Sequence, residues 1–440
     1  MKKKKKCFSS SSEQKEDRLT SLPESIRNHI VSFLPIEDTV KLTILSTQWR
    51  NICSCLSNLK FDQSLLKNKT ELKQRDFRNL VDRLLINHDN SNVTKFSLSV
   101  RVDPEVITGL HINSWISFAL KHNVQDLYLG LLSDLYLGLL SGQVDRLPSA
   151  LFTCNTLIAL HLCGMELQLP TVIYFPNIKT LKLDCVKFFD ERFTEIFLPR
   201  CPALEYLSLI GCQFFFLTSF TISAPNLKVL VFCYYVTSKL EVNLSAPNLQ
   251  WMEYNSICKL NVSPETLRSL TTAKIVTYIV LYPMSMVTKI LMGLCKVTTL
   301  SLEGTAIELL ARDEALSACF PISCSSLTHL NLEMRPSKDH VKVVVLLLRS
   351  YPNLQSLHIW FQTKMESTNI SDIKAYQKSQ EFSTGSNILL INLHHLKGLI
   401  CKCISKDFVA KEAEIWSAEA VMMSQIKMKS YSGDTWVMME

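Results

Sequence analysis

One pattern of hydrophobic and polar positions recurs along most of this chain. An apolar residue is followed by two other residues, a second apolar residue, one other residue and a third apolar residue. Successive side chains of a strand point to opposite faces, so this spacing predicts short strands with one buried face. Ten clear copies begin at Val93, Val124, Leu157, Ile178, Leu204, Leu227, Leu249, Val297, Leu327 and Leu354.

The copies are spaced as structural repeats. From Leu160 to Met252 the second apolar positions are separated by 21, 26, 23 and 22 residues, and five of the ten copies follow a turn that contains proline. This length resembles one coil of a leucine-rich repeat, which has about 20–29 residues. Each coil has an apolar edge that only its neighbour can cover. We therefore predict an α/β solenoid over residues 93–400, with a curved parallel sheet on its concave face and helices or loops on its convex face.

A pattern with the period of a helix precedes the repeats, in residues 17–62. Leu22-Pro23 allows a helix to begin, because proline in the first turn removes no donor that the helix needs. Apolar residues then recur every three or four positions until Pro35, and a second run follows. Helices this short bury little surface alone, so part of their apolar surface should face a partner or the next domain.

This N-terminal segment resembles the F-box. The resemblance is carried by Leu-Pro at the start, Ser-Phe-Leu-Pro between the helices and Leu-Ser-x-x-Trp-Arg at the close. Members of that family bind the Skp adaptor of cullin-RING ubiquitin ligases, and through it a cullin. The adaptor contacts that the resemblance implies are Leu22, Pro23, Ile30, Leu34, Pro35, Val40, Leu45 and Trp49. Some of these, Trp49 first, would form the module's own core, and the alternative is an ordinary helical cap on the solenoid.

The layout resembles the plant F-box/leucine-rich-repeat family, whose members often end in an FBD domain. The helical linker at 63–92, with a helix at 77–85, and the first strand at 93–98 correspond to that family's order of elements. The resemblance fails at residues 401–440, because 404–440 lack the acidic-apolar helix and the closing strand of an FBD domain. We expect an atypical C-terminal tail with an incomplete FBD remnant.

Target recognition is expected on the concave sheet face, where residues between the core positions point away from the core. The candidate binding residues are His161, Lys182, Asp184, Glu253, Glu303, Glu333, His358 and Trp360, with Ser208, Asn255, Ser301 and Asn331 on the same face. Acids outnumber bases among them, which favours a protein segment with some basic character. Trp360 is the strongest single anchor candidate, and the alternative is a plain solvated sheet face.

The net charge does not indicate a nucleic-acid partner. The chain carries +7, but the lysines at 2–6 supply five of these charges, so the remainder is close to neutral. Residues 1–16 combine lysines, serines and mixed charges, which predicts a disordered tail. The lysine run is either a nuclear-localisation signal or a solvated basic tail.

The apolar segments and the cysteines indicate a nuclear and/or cytoplasmic protein. No apolar signal segment follows the first lysines, and the apolar window at 275–294 is interrupted by Pro283 and Lys289, so no membrane association is expected. The 15 cysteines include no C-x-x-C pair, and we interpret them as reduced thiols. The cysteines that closely follow predicted strands, where leucine-rich repeats pack a small residue beneath the turn, are Cys163, Cys185, Cys212 and Cys233.

No motif for catalysis or cofactor binding is present. The sequence contains no glycine-rich phosphate loop, H-E-x-x-H or G-x-S-x-G. His161 and Cys163 share a predicted strand face, but nothing indicates a third, orienting group. We expect no metal and no cofactor, and a protein that is not an enzyme.

The resemblance implies a substrate-recognition subunit of a Skp-cullin-F-box ubiquitin ligase, which binds a target through the repeats and promotes its ubiquitination and degradation. The alternative is a repeat scaffold that acts without a cullin.

One local feature is independent of the functional prediction: the octapeptide at 126–133 is repeated at 134–141. Eight residues cannot form a coil, so we predict that one copy is displaced as a loop or a strand extension.

Overall fold

A computed structural model divides the chain into two compact units, Met1–Leu151 and Phe152–Glu440. Each unit contains parallel strands. The structure describes residues 22–31, 34, 39, 54–65, 71–103, 105–131, 146–189, 193–215, 217–234, 240–256, 258–277, 285–294, 296–313, 316, 324–334, 338–361, 398–403, 427–431 and 435–439.

The first unit alternates helices with parallel strands. Its elements are helix α1 (Glu24–Val31), strand β1 (Asn58–Asp62), helix α2 (Glu71–Ile86), strand β2 (Lys95–Val100), helix α3 (Gly109–Lys121) and strand β3 (Asp126–Leu131). Strand β2 pairs in parallel with β1 and with β3. The helix expected at 77–85 is confirmed as part of α2.

The parallel sheet begins before the first strand that the sequence predicted, and inside the span assigned to the F-box. Strand β1 follows the same repeat pattern, with Leu56, Leu59 and Phe61 at its three apolar positions. All three side chains are buried. The repeat pattern therefore has an eleventh copy, which directly follows the helical pattern of the F-box segment.

Helices α2 and α3 are fixed against each other by polar contacts as well as by packing. Helix α3 buries Ile112, Trp115, Ile116 and Ala119, which recur at helical spacing on one face. The indole Nε1 of Trp115 donates to Asp82 Oδ1 of α2 over 2.7 Å. The indole N–H of the buried Trp115 therefore has a hydrogen-bond partner.

The second unit is the repeat array. Its strands up to residue 403 are β4 (Ala159–Cys163), β5 (Glu166–Leu167), β6 (Thr180–Asp184), β7 (Lys187–Phe188), β8 (Tyr206–Ile210), β9 (Gln213–Phe214), β10 (Ser219–Ser223), β11 (Val229–Tyr234), β12 (Glu241–Ser245), β13 (Trp251–Ser256), β14 (Lys259–Val262), β15 (Thr272–Thr277), β16 (Thr299–Gly304), β17 (His329–Met334), β18 (Ser356–Phe361) and β19 (Gly398–Cys403). The main sheet has the parallel order β4-β6-β8-β11-β13-β15-β16-β17-β18-β19. The predicted parallel sheet of repeats is thus confirmed.

The register of this sheet keeps equivalent repeat positions side by side. Leu160 pairs with Leu181, and Leu181 pairs with Leu207. Each of these three side chains is 0% exposed, because the neighbouring coils cover it on both sides. Full burial of one such side chain contributes about 1.5–3 kcal/mol to folding, so the repeated leucines form the core of the unit.

The return segments of the coils change type along the array. Strands β10, β12 and β14 form a second parallel sheet, in which Phe220, Ile222, Val242 and Leu244 are buried and alternate with polar residues. Beyond this sheet the return segments contain helices α4 (Pro264–Ser269), α5 (Ser285–Gly293), α6 (Ala306–Arg312) and α7 (Lys338–Ser350). The structure thus adds strands to the helices and loops that were expected there.

The proline turns link successive coils through an asparagine. In the turn at 224–227 the Leu227 amide donates to the Ala224 carbonyl, which places Pro225 at the second position of a β-turn, where its fixed φ is favourable. The side chain of Asn226 then donates to the Pro202 carbonyl of the preceding turn over 2.9 Å. Equivalent asparagine bonds, of 2.7, 2.8 and 2.9 Å, are made by Asn177, Asn248 and Asn353.

The end of the chain contains a hairpin. Strands β20 (Lys427–Tyr431) and β21 (Thr435–Met439) pair antiparallel with each other, and β21 pairs antiparallel with β19. The expectation that 404–440 lack a closing strand is therefore wrong. Lys427, Met428 and Lys429 alternate in polarity, and β21 is mostly apolar, which suits strands.

The first copy of the repeated octapeptide, at 126–133, forms strand β3, which ends at Leu131. The second copy, at 134–141, lies outside the described residues. The displacement of one copy therefore stays a prediction.

Candidate functional site

The first candidate surface is the apolar side of helix α1, in the segment that resembles the F-box. The helix begins after Pro23, whose carbonyl accepts from the amides of Ile26 and Arg27. Val31 is 1% exposed, whereas Ile26 is 45% exposed. The helix therefore buries one apolar side chain and leaves another open to a partner.

The predicted adaptor contacts in this segment remain accessible where the structure describes them. Pro23 and Leu34 are exposed, and Leu22 and Ile30 are half-buried. Ile26 was not among the predicted contacts, although it precedes Ile30 by four residues and so lies on the same helix face. The predicted contacts outside the described residues are Pro35, Val40, Leu45 and Trp49.

The second candidate surface is the outward face of the main sheet in the second unit. At its first strands, His161 Nε2 lies 2.6 Å from Asp184 Oδ2, and the Lys182 ammonium lies 5.2 Å from the centre of the Tyr206 ring. The Asp184 carboxylate and the Lys182 ammonium thus each contact a side chain on a neighbouring strand. Their positions between buried core residues agree with the predicted alternation of side chains.

Several outward positions in the middle of this face are buried. Ser208 is 2% exposed, Asn255 is 7% exposed and Val276 is 1% exposed, although all three occupy outward positions of their strands. Ser208 and Asn255 thus occupy outward positions as predicted, but their burial leaves them no accessible surface for a target. Alternation along a strand gives the direction of a side chain, but not what covers it.

An ion-pair group follows on strands β13, β15 and β16. The Lys274 ammonium lies 3.6 Å from Glu253 Oε1 and 3.0 Å from Glu303 Oε2. Burial acts to lower the pKa of Lys274, but the hydrogen bonds and charges of Glu303 and Glu253 outweigh it and raise that pKa. Sequence reasoning missed Lys274 because Leu270, Ala273 and Ile275 form a degraded copy of the pattern.

The outward positions of strands β16, β17 and β18 are accessible. The Gly304 amide donates to Glu333 Oε2 over 3.1 Å, and Asn331 donates to Ser301 Oγ over 3.0 Å. Glu333 is opposite Trp360 in the register, and Trp360 is 42% exposed. The half-exposed side chains at this end of the sheet are Ser301, Glu303, Asn331, Glu333 and His358.

Two further aromatic side chains are exposed at the ends of short strands. Phe189 follows β7 and Phe215 follows β9, and they are 45% and 50% exposed. Their rings stack with centroids 4.7 Å apart and planes 1° apart. The contact between them removes part of each ring face from water.

The environment of Cys163 does not favour catalysis by the pair His161 and Cys163. Burial, together with the charges of Asp184 and Cys185, raises the pKa of Cys163 to about 11, so its thiol is a poor nucleophile at neutral pH. Across the described ranges, no group of three or more histidine, cysteine or acidic residues is arranged to hold a metal ion. No helix in the same ranges is long and apolar enough to cross a membrane.

The cysteines after the strands differ in their environments. Cys212 is buried and donates to the Leu183 carbonyl over 3.1 Å, as expected for a small residue beneath a turn. Cys163 and Cys185 are half-buried, and Cys185 has a φ of 52°. Cys233 lies within strand β11 and not after it.

A short N-terminal helix with an open apolar side and an array of strand-and-return coils define an F-box protein with leucine-rich repeats. Residues 19–61 match the F-box domain family, and residues 112–359 match the family described as FBD-associated F-box protein At5g56370, LRR repeats. The chain therefore belongs to the F-box/leucine-rich-repeat family.

Similar proteins occur in Arabidopsis thaliana. F-box/LRR-repeat protein At4g14103 is 31% identical over 369 residues, which cover 78% of this chain and 91% of the relative. F-box/LRR-repeat protein At4g14096 is 30% identical over 358 residues, which cover 78% and 72%. FBD-associated F-box protein At3g52670 is 30% identical over 249 residues, which cover 56% of each chain.

Proposed function

We propose that this chain is the substrate-recognition subunit of a Skp-cullin-F-box ubiquitin ligase. The observation that carries the proposal is the open apolar side of α1, with Ile26 and Leu34 exposed inside the segment that matches the F-box. Exposed apolar side chains within a segment that matches the F-box are candidates for a partner contact. A Skp-type adaptor is the partner that an F-box implies, and the adaptor would join the chain to a cullin.

The repeats then supply the target-binding surface. Their main sheet has half-exposed outward side chains on β4, β6, β16 and β17, whereas Ser208, Asn255 and Val276 are buried. The target would be held beside the ubiquitin-transferring subunits, so this chain contributes proximity and not chemistry. The result is ubiquitination of the bound target and its degradation.

Co-purification of the full chain with a Skp adaptor and a cullin tests this proposal. We expect the wild type to retain both proteins, and Leu22→Ala/Pro23→Ala to lose both, because the double variant removes apolar contacts at the start of α1. Leu72→Ala is the matched control, since Leu72 is 74% exposed on α2 and lies outside the F-box match.

Each outcome has a distinct meaning. Adaptor binding without cullin recruitment would favour a repeat scaffold that acts without a ligase. Undiminished adaptor binding by the double variant would show that the contact residues are wrongly assigned. No adaptor binding by the wild type would reject the function.

We also propose a nuclear and/or cytoplasmic location. The lysines at 2–6, which lie outside the described residues, are the feature that favours the nucleus. A fluorescent fusion in which these lysines are replaced by glutamine should shift towards the cytoplasm if the run is a nuclear signal. An unchanged distribution would leave the run as a solvated tail.

A further inference from the structure

Two aromatic side chains lie at the starts of β8 and β13, on the outward face of the main sheet. Tyr206 of β8 and Trp251 of β13 are each paired in register with Val229 of β11, which lies between them. All three side chains are half-buried. We call Tyr206, Val229 and Trp251 the aromatic strip. We propose that the aromatic strip binds a proline-rich segment of the target in the polyproline II conformation, an inference that rests on the proposed function.

The neighbours of the strip on both sides are small. Thr180 of β6 pairs with Tyr206, and Thr272 of β15 pairs with Trp251. The two rings are therefore the largest outward side chains at this position of the five strands from β6 to β15. A segment that crosses these strands would meet two aromatic side chains with a valine between them.

Both rings carry a hydrogen-bond donor that has no partner. Among the residues that the structure describes, neither the Tyr206 hydroxyl nor the Trp251 indole N–H takes part in a hydrogen bond. Burial, together with the charges of Asp184 and Glu253, raises the pKa of Tyr206, so its hydroxyl keeps its proton at neutral pH. The strip therefore offers two donors to a partner.

The carboxylates in the same coils already contact cations. Glu205 Oε2 lies 2.7 Å from the Lys228 ammonium, and Glu253 Oε1 lies 3.6 Å from the Lys274 ammonium. A partner that supplies hydrogen-bond acceptors thus suits the strip better than one that supplies donors.

A proline-rich segment supplies acceptors and apolar rings together. Proline has no backbone N–H, and the polyproline II helix has no internal hydrogen bonds, so its carbonyls are open to donors. Such segments bind surfaces lined by aromatic side chains. The donors and rings of Tyr206 and Trp251 complement both properties.

The spacing of the two rings also favours this conformation. The backbones of Tyr206 and Trp251 are two strand spacings apart, or about 9.4–9.8 Å. A polyproline II segment presents the same side every three residues, or about every 9.3 Å. A β-strand does so after about 6.6–6.8 Å and an α-helix after a turn of about 5.4 Å. One side of a polyproline II segment can therefore contact both rings.

The test is a fluorescence-anisotropy titration of the full chain with fluorescein-labelled deca-proline. A glycine-serine decapeptide is the control peptide, because it is uncharged and equally long but flexible. We expect deca-proline to bind at least about tenfold more tightly than the control peptide. Equal affinities of the two peptides would overturn the inference.

Variants of the strip separate the rings from their donors. Trp251→Ala should weaken deca-proline binding about tenfold. Trp251→Phe and Tyr206→Phe each keep a ring but remove a donor, and each should weaken binding about threefold. Trp360→Ala is the matched control, because it removes an indole that is 42% exposed on β18, outside the strip. It should change the affinity less than about twofold.

An exchange of two side chains tests the spacing. Val229→Trp/Trp251→Val keeps the composition of the strip but places the indole one strand spacing from Tyr206, or about 4.8 Å. The affinity for deca-proline should fall about tenfold, in a chain whose urea unfolding shows that it is folded. Wild-type affinity in this variant or in Trp251→Ala would contradict the inference.

The adaptor measurement keeps the two proposals apart. Adaptor co-purification should be unchanged in all these variants, because the strip lies outside the F-box match at 19–61. Failure of the peptide titration with intact adaptor binding rejects this inference alone. No adaptor binding by the wild type rejects the proposed function.

Discussion

The F-box helix and the repeat strands expose the same residue types to different degrees. Ile26 of α1 and Leu34 after it are 45% and 39% exposed, whereas Leu160 and Leu207 of the repeat strands are 0% exposed. A repeat leucine is covered because the next coil offers the same apolar position in register. For helix α1, no described residue of this kind lies in register beside Ile26, and Ile26 is 45% exposed.

This difference separates stability from recognition. Burial of a repeat leucine contributes directly to folding, while exposure of Ile26 contributes little to folding and leaves apolar surface for a partner. A substitution in a repeat strand should therefore lower stability, whereas a substitution at Ile26 should weaken partner binding with little effect on stability. The predictions that follow test this separation.

The largest effect is expected from Leu207→Ala in the core of β8. Removal of a fully buried leucine side chain leaves a cavity and should lower the free energy of unfolding by about 3 kcal/mol. Urea-induced unfolding of the full chain measures the change. Leu72→Ala, at an exposed position, should change it by less than about 0.5 kcal/mol. Equal effects of the two variants would contradict the assignment of the core.

A smaller effect, on binding alone, is expected from Ile26→Glu. A charge on the open side of α1 should weaken adaptor binding by about 2 kcal/mol, or roughly thirtyfold, with no loss of folding. Calorimetric titration of the adaptor measures the affinity. Leu72→Glu introduces the same charge on an exposed leucine outside the F-box match and should leave the affinity unchanged. Loss of folding in Ile26→Glu would show that this side of α1 is core.

A pH effect is expected from the buried thiol of Cys212. Burial raises the pKa of this thiol from 9.0 to about 12, so the unfolded chain releases the proton at a lower pH than the folded chain. Stability is therefore lost as pH rises from 9 towards 12. Between pH 8 and 10 the wild type should lose about 1.4 kcal/mol more than Cys212→Ala. Parallel pH profiles of urea unfolding for the two proteins would contradict this.

The smallest effect is expected from the asparagine bonds between turns. Asn226→Ala should lower the free energy of unfolding by about 0.5–1 kcal/mol, because the bond to the Pro202 carbonyl is exposed to water. Ala203 occupies the equivalent position in the turn at 201–204, and Ala203→Asn should raise stability slightly. No change in either variant, measured by thermal unfolding, would show that the bonds do not hold the coils together.

The sequence predicts the repeat strands well because their signal is local. Three apolar residues at fixed spacing are enough to place Leu181 or Leu330 in a strand with a buried face. The same signal was present at Leu56, Leu59 and Phe61, beside the helical pattern of the F-box segment. It was weaker at β15, where Ala273 takes the place of a leucine.

The sequence predicts the candidate sites less well because they depend on neighbours distant along the chain. The pairing of Lys274 with Glu253 and Glu303 requires the register of three strands. The burial of Asn255 depends on residues outside its own strand. The exposure of Ile26 could have been inferred from its position four residues before Ile30, since both lie on one helix face.

The repeated proline-asparagine turns make the coils exchangeable. The turn at Pro225 and the turn at Pro247 have the same backbone bond and the same asparagine contact to the preceding turn. A segment cut at these two prolines therefore has matching ends, and its replacement by an equivalent coil preserves both junctions. New outward side chains can be introduced one coil at a time, so recombination at these turns can change the surface of the sheet without a new fold.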